Sequence, residues 1–399
     1  MLKKVRTGDL KVGMFIHDLR CDWEDHPFVN SAFLVEEAET IQQIIKAGIH
    51  QVVIDTDKGE TNAKKPEVDE VQNTLEEGYK KATRQRKIDK EISASDEFSN
   101  ARAIYQEATS VVHRLLDDVR LGKQVEIEHL EPVTESIVNS VFRNKDALIS
   151  LTRIKERDEY TFMHSVSVSG LMATFARAVG MDRQTIKQVA LGGLLHDIGK
   201  MKVPNEILNK PDKLTDDEFE IMKSHVLHGV GLLTDVKGMT QEAMDVVSMH
   251  HERYDGTGYP RGLKGDEISD VGQMSMIVDV YDALTSLRCY KDPWEPSYTL
   301  KKLLEWSGSH FNKDLVNNYI RSLGIYPVGS LVLLQSGLVA IVMEQNENDL
   351  LRPDIRVIYN SRHEKYVAVK DIQLRKRQED AIVQAVSPEK YNIDLGAFI

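Results

Sequence analysis

TIKQVALGGLLHDIGK, residues 185–200, sets apolar side chains at helical spacing and closes on the adjacent pair His196–Asp197. Outward from it the same grammar continues. YTFMHSVSVSGLMATFARAVG (160–180), DDEFEIMKSHVLHGVGLL (216–233) and QEAMDVVSMHHERYDG (241–256) read as helices, as do MSMIVDVYDALTSLRCY (274–290) and SYTLKKLLEWSG (297–308). ARAIYQEATSVVHRLLDDVRLG (101–122) and LEPVTESIVNSVFRNKDALISLTRI (130–154) precede them with apolar residues every three or four positions. The run from Phe98 to about Leu323 is therefore expected to be one helical bundle.

The flanks differ. LKVGMFIHDL (10–19) and HQVVIDT (50–56) read as strand regions around a helical EEAETIQQIIKAGI (36–49), with Gly48 placed as its C-cap. Residues 58–97 are polar, charged and poor in large apolar groups, which reads as a solvated linker, partly helical. After Gly324 the β-branched runs YPVGSLVLLQSGLVAIVMEQN and DIRVIYN predict a small β appendage from Tyr326 to about Leu374. The expected fold class is mainly α. The expected domains are a small N-terminal α/β domain (1–57), a linker (58–97), a helical catalytic domain (98–325) and a C-terminal β appendage with tail (326–399).

With 51 Lys and Arg against 63 Asp and Glu among 399 residues, the net charge of −12 argues against a nucleic-acid polymer or an anionic membrane as partner. Cys21 and Cys289, far apart and outside any CxxC, exclude a disulfide framework and a thiolate zinc cluster and suit the reducing cytoplasm. No apolar run predicts a membrane span, and MLKKVRTGDL lacks the apolar core of a signal peptide.

Within the helical block His164, His196, Asp197, His225, His250, His251 and Asp279 form an ordered series. Buried imidazoles and carboxylates need partners, and a metal cluster answers that need for all seven together. Nitrogen and carboxylate donors suit iron, manganese, zinc, nickel or cobalt rather than calcium. A carboxylate can bridge two ions, and two ions about 3.5–4 Å apart can hold an acidified bridging water and clamp a phosphoryl oxygen. Lys200, Arg288 and Lys291 stand near enough in sequence to help bind phosphate.

HDIGK (196–200), HHERYDGTGYP (250–260) and VDVYDALTSLRCYK (278–291) resemble, in order, the signature blocks of the HD-GYP family of metal-dependent phosphohydrolases. The resemblance spans about Leu121 to Leu323 and implies an HD-type helical core that hydrolyses cyclic di-GMP to pGpG, in some members on to GMP, by a metal-bridging hydroxide. It implies metal ligation by His164, His196, Asp197, His225, His250, His251 and Asp279, with two divalent ions, iron or manganese before nickel, zinc or cobalt. Lys200 would contact the scissile phosphate, and Arg288 and Lys291 other phosphate groups. Gly258, Tyr259 and Pro260 would shape a loop beside the site, which in some relatives binds diguanylate cyclases. Some relatives carry a Glu four residues before the first metal His. Tyr160 stands there in this chain, which predicts two metals rather than three. Asp255 and Asp282 are expected to orient ligand side chains or Arg288 by hydrogen bonds, and His228 to lie outside the ligand set.

Two other readings stay open: the same site acting on another cyclic dinucleotide such as cyclic GMP-AMP, and a catalytically silent nucleotide sensor. A homodimer through the helix before His164 is also open, although no heptad is sustained.

Overall fold

The computed structural model describes residues 2–18, 33–35, 37–46, 49, 51–55, 91–152, 160–210, 214–286, 293–377 and 379–398. Gly48, Arg288 and Lys291 lie outside them, as does most of the expected linker. The chain divides into two compact units, Met1–Gly78 with Asn209–Glu220, and Tyr79–Leu208 with Ile221–Ile399.

In the first unit, β1 (Leu2–Arg6), β2 (Phe15–Asp18), β3 (Phe33–Leu34) and β4 (Gln51–Asp55) form an antiparallel sheet ordered β1-β4-β2-β3, with helix α1 (Ala38–Lys46) between β3 and β4 in the chain. Ile16, Val35, Ile44, Ile49, Val52 and Ile54 make its core. Strand β1 is absent from the sequence reading: LKKVR is mostly charged, and its pairing with β4 makes it a strand.

The second unit begins with α2 (Ala94–Arg120), inside the stretch read as linker, because Ser93 accepts a hydrogen bond from the Asp96 amide and caps the helix there. Then come α3 (Glu131–Leu151), α4 (Tyr160–Val179), α5 (Arg183–Leu195), α6 (Asn205–Leu208), α7 (Asp216–Lys223, whose residues up to Glu220 fall in the first unit), α8 (His225–Leu233), α9 (Gln241–Met249), α10 (Asp270–Thr285), α11 (Pro296–Glu305) and α12 (Lys313–Leu323). Asp182 caps α5 and Ser269 caps α10, each worth about 1 kcal/mol. Among the described residues no helix is long and apolar enough to cross a membrane.

Helix α5 is the axis of the bundle. A Cβ on Gly192 would stand 2.8 Å from Val246 Cβ in α9, and one on Gly193 would stand 2.8 Å from Ser169 Cα in α4. The two glycines let α5 approach both neighbours, which brings the end of α5 beside His164 and His250.

Helix α3 is broken at Asn144, whose backbone is extended (φ −162°, ψ 107°). The Asn144 side chain accepts from the Asp146 amide (3.0 Å) and donates to the Ile92 carbonyl (2.9 Å), restarting the helix as an N-cap does. Beside it the buried Glu97 takes two 2.7 Å hydrogen bonds from Arg143 and one of 2.8 Å from Ser140.

The C-terminal sheet consists of β5 (Leu331–Leu334), β6 (Leu338–Glu344), β7 (Asp354–Asn360), β8 (Lys365–Gln373) and β9 (Ile382–Ala385), antiparallel in the order β8-β7-β6-β5-β9. Both of its faces are covered at the centre. Val332, Ala340, Val342 and Ile355 pack on one side, and Leu331, Val339, Ile341 and Ile358 on the other. The sheet is fixed to the break in α3, where the Gln345 amide donates to Asp146 Oδ2 (3.0 Å) and Lys145 pairs with Glu347 (3.4 Å). A mainly helical chain with a small α/β front and a β tail is what the sequence predicts. The structure adds β9, beyond Leu374.

Candidate metal centre

Three helix-end histidines are set by one local device. His196 follows the last residue of α5, His250 follows that of α9, and His225 stands just past α7. The Nδ1 of each lies against the carbonyl three residues earlier: Gly193 at 2.8 Å, Val247 at 2.9 Å and Met222 at 2.8 Å. A carbonyl can only accept, so Nδ1 donates that hydrogen bond and each ring turns Nε2 toward the centre. His164, in α4, instead directs Nδ1 to Asp282 Oδ2 of α10 at 2.7 Å.

The Nε2 atoms converge. That of His164 lies 3.2 Å from that of His196 and 3.0 Å from Asp279 Oδ1. That of His225 lies 3.3 Å from that of His250. Two buried trios result, His164–His196–Asp279 and His225–His250–His251, each with its donor atoms within 4.8 Å of one another. Asp197 stands between them. Its Oδ2 is 3.3 Å from His196 Nε2 and its Oδ1 is 3.6 Å from His225 Nε2, so one carboxylate addresses both trios.

These contacts do not satisfy one another. His225 and His250 face each other with two lone pairs, and the buried Asp197 Oδ1 and His251 Nδ1 have no hydrogen-bond partner. Such groups in a dry site are unfavourable unless a cation lies among them. Buried nitrogen and carboxylate donors without thiolates fit a divalent first-row metal, and each trio, with one Asp197 oxygen, can hold one ion.

The electrostatics agree. Burial pushes His225 down to about 4 and His250 down to about 3, and it holds His251 well below the usual imidazole range, so all three are neutral donors at pH 7. Burial resists ionisation of Asp197, but His196 and Lys200 outweigh it and hold the carboxyl well below its ordinary range. Burial likewise opposes charge on Asp279 and on His164. Their mutual hydrogen bond, with Asp282 also on His164, keeps Asp279 ionised and raises His164 to about 9.

Lys200 lies at the edge of the first trio, with Nζ 2.7 Å from Asp197 Oδ2. On the side of the second trio the Tyr259 ring stacks on His251, centroids 4.7 Å apart at 26°, and the Tyr259 amide donates to the His251 carbonyl (3.0 Å). Gly258 is obligatory there, because a Cβ would overlap the backbone of Glu252 and Arg253. Pro260 follows Tyr259 through a cis peptide bond.

The structure thus brings together His164, His196, Asp197, His225, His250, His251 and Asp279, with Lys200, Gly258, Tyr259 and Pro260 around them. Asp282 meets His164 as the sequence predicts. Asp255 does not meet a candidate ligand. Its Oδ1 accepts from the Thr257 amide (2.9 Å) and hydroxyl (2.6 Å), closing a turn, because the loop carries it outward. His228 is exposed.

Sequence reasoning missed two residues. Glu252 is buried, and its two oxygens accept from the Arg261 (2.8 Å) and Leu263 (2.9 Å) amides, pinning the loop beyond Pro260. A charged residue directly after His251 was the available signal. Gly199 touches the start of α8, where a Cβ would overlap the His225 carbonyl and the Gly229 amide.

Three family models match the chain: a domain of unknown function (DUF3391) over residues 2–130, an HD domain over 135–315, and a KOW domain associated with HD domain over 331–393. The chain is 36% identical over 397 residues to a Pseudomonas aeruginosa protein named cyclic di-GMP phosphodiesterase, covering 98% of this chain and 94% of that one. It is 37% identical to 3'3'-cGAMP-specific phosphodiesterase 2 of Vibrio cholerae, over 41% of this chain and 31% of the relative. It is 36% identical to a Thermotoga maritima cyclic di-GMP phosphodiesterase, over 41% and 45%. With the helical core, the His/Asp series and the Gly258–Tyr259–Pro260 loop in place, the chain belongs to the HD-GYP family of HD-domain phosphohydrolases, with a DUF3391 domain ahead of its core.

Proposed function

We propose that the chain is a two-metal phosphodiesterase that opens cyclic di-GMP to pGpG. The observation that carries the reading is the two-sided Asp197, with an unpartnered oxygen toward His225 and its other oxygen toward His196. His164, His196 and Asp279 would hold one divalent ion and His225, His250 and His251 the other, with Asp197 shared between them. Iron or manganese suits these donors. Bound there, the ions supply an acidified water and positive charge for the phosphoryl oxygens.

The protein's own residues do the positioning. The Gly193, Met222 and Val247 carbonyls hold three rings in the tautomer that offers Nε2. Lys200, anchored on Asp197, presents positive charge at the rim, where negative charge grows on the reacting phosphate. Glu252 fixes the loop that carries Tyr259 against His251. Arg288 and Lys291 would bind further phosphate oxygens. Tyr160 at the position of the third-metal Glu favours two ions, and arrest at pGpG follows from that reading.

The test is turnover by anaerobically purified protein reconstituted with Fe(II) or Mn(II), with cyclic di-GMP and cyclic GMP-AMP side by side and products separated chromatographically. We expect pGpG from cyclic di-GMP and complete loss with His196→Ala plus Asp197→Ala. Activity surviving in that double variant, or binding of nucleotide with no turnover by the loaded wild type, overturns the proposal.

A further inference from the structure

Lys223 has no role in the account so far. It is the last residue of α7, two positions before His225, and it is half-buried. Its Nζ lies 5.7 Å from the centroid of the Tyr259 ring, the same ring that stacks on His251. The order lysine, Tyr259, His251 therefore leads from the rim into the second trio. Lys200 reaches the centre by another route, through Asp197 Oδ2, the oxygen turned toward His196. Among the described residues, Lys200 thus stands by the first trio and Lys223 on the side of the second.

A cyclic dinucleotide carries two phosphodiesters in one ring, and only one is cleaved per turnover. The geometry points to Lys223 as a binding residue for the second, non-reacting phosphate, with Tyr259 as the rigid spacer between it and the second trio. This assignment rests on the two-phosphate substrate proposed above. Tyr259 is fixed on the metal side by its ring stacking on His251 and by the hydrogen bond from its amide to the His251 carbonyl, and the lysine Nζ lies near the same ring. A lysine on such a support offers charge at a defined place, and ammonium–phosphate contacts are strong when partly desolvated.

The experiment compares KM and kcat for cyclic di-GMP in metal-loaded wild type, Lys223→Ala and Lys223→Arg across ionic strengths, with metal content measured on each. Wild type is also assayed on bis(4-nitrophenyl) phosphate, a diester with one phosphorus. For Lys223→Ala we expect KM to rise about tenfold with little change in kcat, as for loss of one charged hydrogen bond. The salt dependence of KM should flatten, and Lys223→Arg should recover most of the loss. A Lys223→Ala KM within twofold of wild type at full metal content, or a loss confined to kcat, overturns the assignment. If wild type cleaves the nitrophenyl diester but not cyclic di-GMP, the substrate reading fails and takes the two-phosphate role of Lys223 with it.

Discussion

Asp282 holds His164 by the short 2.7 Å contact to Nδ1. Its loss leaves the ring free to rotate and its Nε2 less basic. Asp282→Ala should weaken metal retention by about 10–100-fold, the usual effect of removing such a support. Metal titration monitored by dialysis and elemental analysis measures it, and unchanged affinity would refute the role. Five of the seven metal-directed residues sit in compact motifs, His196 and Asp197 in HDIGK, His250 and His251 in HHERYDGTGYP and Asp279 in VDVYDALTSLRCYK, whereas His164 and His225 stand only as members of the ordered series. The division of labour at Asp197, one oxygen to each trio, was not legible. It depends on how α4, α5, α8, α9 and α10 meet, and no local spacing encodes that.

At the scale of elements, close packing around glycine positions the centre. Gly199 and Gly231 make a paired test, since one abuts α8 and the other lies within it. The Cβ of Gly199→Ala would enter the backbone of α8 at His225 and Gly229, displacing the ligand. Overpacking of this kind destabilises by about 1–3 kcal/mol and here should also lower metal content. Gly231 has nothing within 4 Å of its would-be Cβ, so Gly231→Ala should stabilise the helix by about 0.5–1 kcal/mol. Urea unfolding of both variants checks the contrast, and equal shifts would sink it. The same scale shows why some elements were unreadable. The apolar periodicity of TESIVNSVFRNKDALISL runs unbroken through Asn144, so the break in α3 is visible only from the Asn144 backbone and its partners. Strands β1 and β9 are short and lack strong alternation, and their sheets recruit them through backbone pairing.

For the whole molecule, the titration of the centre sets a pH profile. In metal-free protein the His164 pKa is raised from 6.5 to about 9, so its stabilising proton is fully present below 6.5 and is lost as pH rises through 9. His225 and His250 move the opposite way, from 6.5 to about 4 and about 3. Their contribution is complete above 6.5 and is lost as pH falls toward those values. Chelated protein should therefore show its highest urea midpoint near pH 6.5, and His164→Gln should flatten the alkaline side. A midpoint of the chelated wild type that climbs steadily from pH 7 to 9 would contradict this. Beyond the centre, the sheet is tied to the bundle at Lys145 and Asp146, on the short helical run that precedes the His164 helix, and at Ala94 and Asn144, which donate to Glu344 (3.3 Å and 3.4 Å). A tail buckled to buried charges in this way is no detachable ornament. Cutting the chain ahead of β5 would take Glu347 and the Gln345 amide away from the buried Lys145 and Asp146, so domain shuffling must carry the sheet along with the bundle or redesign the seam.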